Sequence, residues 1–241
     1  MALLLLSVPA SSRSPMLCEM LMVIVNVFVL NVAVPFAAFD IHATLYEKKH
    51  MHGIEVVNGR SYYPEAHEWA LEKNLTFMGT SDIHAPSMLE QSSPEKHRSM
   101  TLVFARGKTL AAVNEALVAG RTLVWYESQL IGRKEYLNAM FRAATTIADI
   151  EYGQDDTVCF RLMNHCDVAL ELERAGKLGP KTVSVPPHAS TLIRAKVPAS
   201  SEPHKFEYAV SNFLIAPAKG LPVSLEVPPQ ITIEIGVETE N

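Results

Sequence analysis

"HGIEVVNGRSYYPEAHEWALEKNLTFMGTSDIHAP", residues 52–86, decides the fold of the first part of this chain. Its opening "GIEVVN", Gly53 to Asn58, is a short apolar run rich in β-branched residues that closes on turn formers, so it reads as a buried strand. Pro64 stands where a first-turn proline belongs. Acids lie early and Lys73 late, the order a helix dipole favours, so "PEAHEWALEKN" reads as a helix to Asn74. "LTFMG" then reads as a second strand that delivers the chain to "GTSDIHAP", residues 79–86.

The same alternation extends outward. Ile41 to Lys49 reads as a helix and "MTLVFA", Met100 to Ala105, as a strand. Thr109 suits the cap of a helix whose Leu110, Val113 and Leu117 share a face and whose end is Gly120. "TLVWY" closes the series, and a long helix is expected from Arg133 to about Ala148. Strands and helices joined by short links imply a mainly parallel sheet covered by helices, open or rolled into a barrel. Ligands of such sheets sit beyond the carboxyl ends of the strands, where Asn58, Asp82 and His84 lie.

Both ends of the chain read differently. Ala2 to Leu6 followed by "SVPASS" resembles a short secretory apolar region with no positive charge before it, so residues 1–15 are a candidate leader. Met16 to Phe39 is long enough to span a bilayer, but Glu19, Asn26, Asn31 and Pro35 interrupt it. Its β-branched "VIVNVFVL" fits a buried strand better than a membrane helix. From Thr157 onward come only short strands, "TVCFRLMN", "VALELE", "STLIRAKV", "FEYAVSN", "LPVSLEV" and "ITIEIGV", which predict a small β-sandwich. The expected organisation is therefore an α/β domain over 16–148 and a β-domain over 149–241.

With 241 residues, 48% of them hydrophobic, the chain can bury a substantial core. A net charge of −5 and no basic run longer than Lys48–Lys49 argue against binding a nucleic-acid polymer. Cys18, Cys159 and Cys166 are too scattered for a disulfide framework or a zinc site built on CxxC pairs.

Asp82 and His84 are the sharpest candidates for chemistry. A carboxylate and a neutral imidazole are common ligands of zinc, manganese and iron, and on an extended segment residues i and i+2 point to one side. His42, His50 and His52 precede the first strand and read as solvated. Glu55, flanked by apolar Ile54, Val56 and Val57, either reaches the mouth of the sheet or pairs with a base. Asn58 and Ser81 are candidates to contact a substrate or support the site. "RGKT" lacks the first glycine of a phosphate loop, since Leu102 stands there, and His67 has no second histidine at HExxH spacing. "NLT" at Asn74 matches a glycosylation sequon on a helix–strand link.

Residues 52–86, with "MTLVFARGKTL", "EALVAGRTLVWY", "QLIGRKEYL" and "FEYAVSNFLIAPAKGLPVSLEV" behind them, resemble the PHP-domain phosphoesterases over roughly 41 to 228. The subgroup they most resemble is the bacterial Sb-PDE-type phosphodiesterases. The resemblance implies a distorted (β/α)7 barrel whose strand ends hold divalent transition metals (Zn, Mn or Fe) that activate water against a small phosphoester. It carries metal ligation to Asp82 and His84. It also implies upstream ligands, beginning with an HxH motif, that this sequence does not supply: "HMH", His50 to His52, adjoins the wrong strand, and Val32 follows Asn31 where a ligand histidine is expected. The expectation is thus a partial PHP barrel lacking its first strands. Such a chain is expected to be inactive alone, as a fragment, a sequence with a misassigned start, or a subunit that needs another polypeptide. The alternative is a non-catalytic scaffold whose β-domain binds a partner or a glycan. Compartment leans toward export.

Overall fold

The computed structural model describes residues 5–6, 21–24, 40–83 and 97–230, with side chains from His42 onward. The chain divides into two compact units. One ends at Ala143 and takes in Ser211–Leu221; the other begins at Ala144, runs to Val210 and resumes at Pro222.

In the first unit, β1 (Leu5–Leu6) pairs with β2 (Leu21–Ile24), and helix α1 spans Asp40–Glu47. The quoted segment folds as β3 (Gly53–Asn58), β4 (Ser61–Tyr62), α2 (Pro64–Glu72) and β5 (Thr76–Thr80). Then follow β6 (Met100–Ala105), α3 (Leu110–Val118), β7 (Thr122–Tyr126), β8 (Gln129–Gly132) and α4 (Lys134–Ala144). One sheet has the order β4-β3-β5. The other runs β1-β2-β6-β7-β8, and Phe213 and Leu214 of the returning segment pair with Leu130 and Ile131 of β8.

The first unit is mixed α/β, but its ladders correct the expectation of a mainly parallel sheet. Only β3/β5 and the pairing of β8 with Phe213 and Leu214 are parallel among the described residues; β2/β6, β6/β7 and β7/β8 are antiparallel. The cause lies in α3. Its cap is the expected one, with the Thr109 hydroxyl accepting from the Ala112 N–H. But the chain comes back to the end of β6 that it left, where the Phe104 N–H donates to the Arg121 carbonyl. The helix is therefore an insert in a hairpin rather than a crossover. The face it buries carries Val113 and Ala116 against Val103 and Ala105, while Leu110 is exposed, unlike the expected stripe.

Of the strand expected between Met16 and Phe39, Leu21–Ile24 is a strand antiparallel to β6, and the rest lies outside the described residues, as does the candidate leader apart from Leu5–Leu6. No helix among the described residues is long and apolar enough to cross a membrane.

The main core of this unit joins Ile54, Val56 and Val57 of β3, Ala66 and Ala70 of α2, Phe77 of β5, Val124 of β7 and Ile131 of β8. Among the described residues, strand β5 has a backbone ladder on its β3 side only. On the other side side chains take over. The Thr101 hydroxyl accepts from the Gly79 N–H (2.8 Å) and donates to the Gly79 carbonyl (2.9 Å). Thr122 donates to the Phe77 carbonyl (2.8 Å), and Arg133 to the Leu75 carbonyl (2.8 Å) while its guanidinium lies over the Phe77 ring. Gly79 is required by this approach, because a Cβ there would run into Val124 Cγ1.

Beneath α2, His67 is fully buried. The Tyr62 hydroxyl and its Nδ1 share a hydrogen bond of 2.8 Å, Phe77 packs edge-on against the ring, and Nε2 has no hydrogen-bond partner among the described residues. Burial, and secondarily the charge of Arg133, push its pKa down to about 4. A depressed histidine pKa adds stability that is fully present above the unfolded-state value of 6.5 and is lost as pH falls toward 4. Urea titrations at stepped pH are expected to show a loss on the order of 3 kcal/mol across that window, flattened in His67→Gln, which keeps an acceptor and cannot titrate. An unchanged slope in the variant would refute the assignment.

Helix α4 ends at Ala144 instead of reaching Ala148, because the β-branched Thr145, Thr146 and Ile147 continue as β9 (Thr145–Tyr152). The second unit adds β10 (Thr157–Asn164), β11 (Leu170–Arg174), β12 (Thr182–Val185) and β13 (Ser190–Lys196), the first part of β14 (His204–Ala216) and most of β15 (Lys219–Val227). Within it, β13-β10-β9 form one sheet, and β12-β11-β14 with β15 form the other, all antiparallel where the register is defined. Strict alternation buries Val158, Phe160 and Leu162 from one sheet and Leu170, Leu172, Phe206 and Tyr208 from the other, with Phe160 and Phe206 edge to face at 5.0 Å. "ITIEIGV" lies outside the described residues. Cys159 and Cys166 are free thiols, and burial pushes that of Cys166 up, away from reactivity.

Candidate functional site at the strand ends

The antiparallel course of β6 brings its beginning to the same end of the first unit as the carboxyl ends of β3, β5 and β7. Asn58, Thr80 to Asp82, Ser99 and Tyr126 gather there. Pairing of Asn58 with Thr80 in the parallel β3/β5 ladder fixes the first contact. From inside β3, Glu55 extends to this end and is held at both oxygens: Asn58 Nδ2 donates to Oε2 (3.0 Å) and Thr80 Oγ1 to Oε1 (2.8 Å).

Of the two roles foreseen for Glu55, the structure selects the mouth of the sheet, with an amide and a hydroxyl as partners rather than a base. Thr80 is a member that sequence reasoning missed. Its signal was available: a threonine ending a strand that pairs in parallel with one carrying an internal glutamate. Asn58 turns its amide onto Glu55, and Ser81 is half-buried immediately after the cluster.

The turn after β3 is fixed from three directions. The Gly59 N–H donates to the Thr80 carbonyl (2.9 Å), Ser99 donates to the Gly59 carbonyl, and Tyr126 donates to the Arg60 carbonyl (2.9 Å). Gly59 adopts a φ of 59°, and a Cβ built there would lie 3.5 Å from the Asp82 Cβ, so the turn sits against Asp82.

Asp82 is exposed and left-handed, with φ of 48°. Strand β5 has ended at Thr80, so Asp82 stands beyond the extended segment. His84 lies outside the described residues. His50 and His52 are exposed, as expected; His42 is half-buried beside Trp69, with ring centroids 6.5 Å apart.

The described residues do not fit a complete metal site. No three histidine, cysteine, aspartate or glutamate side chains converge among them, and both Glu55 oxygens are already engaged. Catalytic zinc ordinarily takes three protein ligands and a water. What the cluster does accomplish is to order the strand ends around Asp82.

The fold defines a two-unit protein with a mixed α/β part and a two-sheet β part. A family profile described as an Ig-like domain matches residues 145–226. Among solved structures, the chain is similar to a two-domain protein from Bacteroides vulgatus ATCC 8482 described as containing a predicted PHP-like metal-dependent phosphoesterase. The two are 33% identical with a TM-score of 0.73, over 79% of this chain and 57% of that one. The chain thus spans little more than half the length of that protein. No curated protein matches it.

Removing the Glu55 carboxylate strands an amide and a hydroxyl that are partly shielded from water. Glu55→Ala is expected to cost about 1–3 kcal/mol in chemical denaturation, and Glu55→Gln, which retains an acceptor oxygen, less than half as much. Equal costs for the two variants would mean that packing of the side chain, and not its acceptors, matters.

Proposed function

We propose that this chain is a phosphoester hydrolase by descent, of the PHP type and the Sb-PDE-like subgroup, with Asp82 and His84 as its contribution to a divalent transition-metal site. The observation that carries this reading is the 33% identity to the PHP-like relative, sustained over 79% of the chain and accompanied by a common fold. The α/β unit is then a partial (β/α)7 barrel, and the substrate a small phosphoester rather than a nucleic-acid polymer. A metal there would polarise the phosphoryl group and supply a hydroxide nucleophile. The chain's own part is positional: Glu55 locks Asn58 and Thr80, and these set the strand ends that present Asp82 and Ser81.

Since the described donors are too few for a catalytic metal, the remaining ligands come from residues outside them or from a partner polypeptide, and the isolated chain is inactive in this proposal. Elemental analysis of purified protein, paired with hydrolysis of bis-p-nitrophenyl phosphate in added manganese or zinc, tests both parts. Expected are less than one metal per chain, reduced further by Asp82→Ala and His84→Ala, and no turnover above the metal-containing buffer. Stoichiometric metal with turnover would overturn the claim of inactivity. Metal retention indifferent to both substitutions would overturn the ligand assignment.

A further inference from the structure

The turn between β3 and β4 is restrained far more than a short exposed connection requires. Its carbonyls at Gly59 and Arg60 are claimed by Ser99 and Tyr126, which come from distant parts of the sequence, and its amide at Gly59 is claimed by β5. A hairpin closed by a single pair of residues on each side, Val57 with Tyr62 and Asn58 with Ser61, needs none of these to form. Their joint effect is to hold one residue, Arg60, at a fixed place on the rim of the strand-end cluster, one position along from Gly59, where an added Cβ would meet Asp82.

The Arg60 side chain is exposed, and no carboxylate forms an ion pair with it among the described residues. Two other arginines of this unit are committed: Arg121 forks onto Glu115, and Arg133 is taken by the Leu75 carbonyl and the Phe77 ring. Burial, and then Glu127, raise the pKa of the Tyr126 hydroxyl, and the Arg60 guanidinium opposes them; its charge is therefore felt on the cluster's side of the turn. A planar cation on a rigid backbone matches a phosphoryl group geometrically, and the ordering cost of binding is already partly met by the turn.

We infer that Arg60 is the residue that binds the anionic phosphoryl group of the substrate at the strand-end site. This deepens the proposed function and rests on it for the identity of the substrate, while the binding step itself needs no metal. The guanidinium donates to phosphoryl oxygens, leaving Asn58 and Thr80 to their work on Glu55.

The test is titration of the metal-free 241-residue chain with inorganic phosphate, followed by calorimetry or by amide shifts of Gly59 to Ser61, at constant ionic strength set with chloride. Arg60→Ala is expected to weaken phosphate at least fivefold, and Arg60→Lys by less, since a lysine keeps the charge without the fork. Arg106→Ala is expected to leave affinity unchanged, because Arg106 follows the far end of β6. Melting temperature should stay put in Arg60→Ala, as Tyr126 holds the backbone carbonyl and not the side chain. Asp82→Ala should not weaken phosphate in the absence of metal, so an error in the metal-ligand assignment would show in metal content and leave this result standing. Equal weakening by Arg60→Ala and Arg106→Ala would reduce the effect to general surface charge and overturn the inference. So would an absence of phosphate binding by the unaltered chain.

Discussion

Strand β5 carries the chain to Asp82, yet among the described residues it has a backbone ladder on one side only. Its other edge is closed by the hydroxyls of Thr101 and Thr122 and the guanidinium of Arg133, which together serve the backbone of Leu75, Phe77 and Gly79. An unpaired buried peptide group costs about 1–3 kcal/mol, so these side chains replace a ladder that the β6/β7 hairpin does not offer. The arrangement works only because Gly79 lets Val124 approach. From this edge follow the placement of Thr80 beside Asn58, the locking of Glu55 and the seating of the Gly59 turn against Asp82.

Much of the first unit was legible in the sequence because its signals are local. Apolar runs marked β3, β5, β6 and β7, Pro64 marked the start of α2, and Thr109 marked the cap of α3. Strand direction was not legible. A strand–helix–strand order ordinarily signals a parallel crossover, and only the closure of Arg121 onto Phe104 reveals that α3 returns to its origin. The β9 strand was hidden within an expected helix, although Thr145, Thr146 and Ile147 in succession oppose helix continuation.

The candidate site was legible as residue types and not as geometry. Asp82 and Asn58 stand at strand ends as expected, and Glu55 points to that end. But Asp82 lies beyond the extended strand with a left-handed backbone, a turn that no local residue pattern announces, and the role of Thr80 depends on a register that only the folded ladder fixes. The polar interactions that order this end of the molecule join residues such as Gly59 and Ser99, or Arg60 and Tyr126, whose proximity no sequence motif encodes.

If β5 is held by side-chain hydroxyls, its amides should register their removal. Amide hydrogen exchange at Gly79, compared between the unaltered chain and Thr101→Val, is the most direct measurement. Gly79 is expected to lose protection by tenfold or more while Val124, whose register partner Thr101 remains in the β6/β7 ladder, exchanges as before. Unchanged protection at Gly79 would contradict it, since the N–H would then be shielded by something other than the Thr101 hydroxyl.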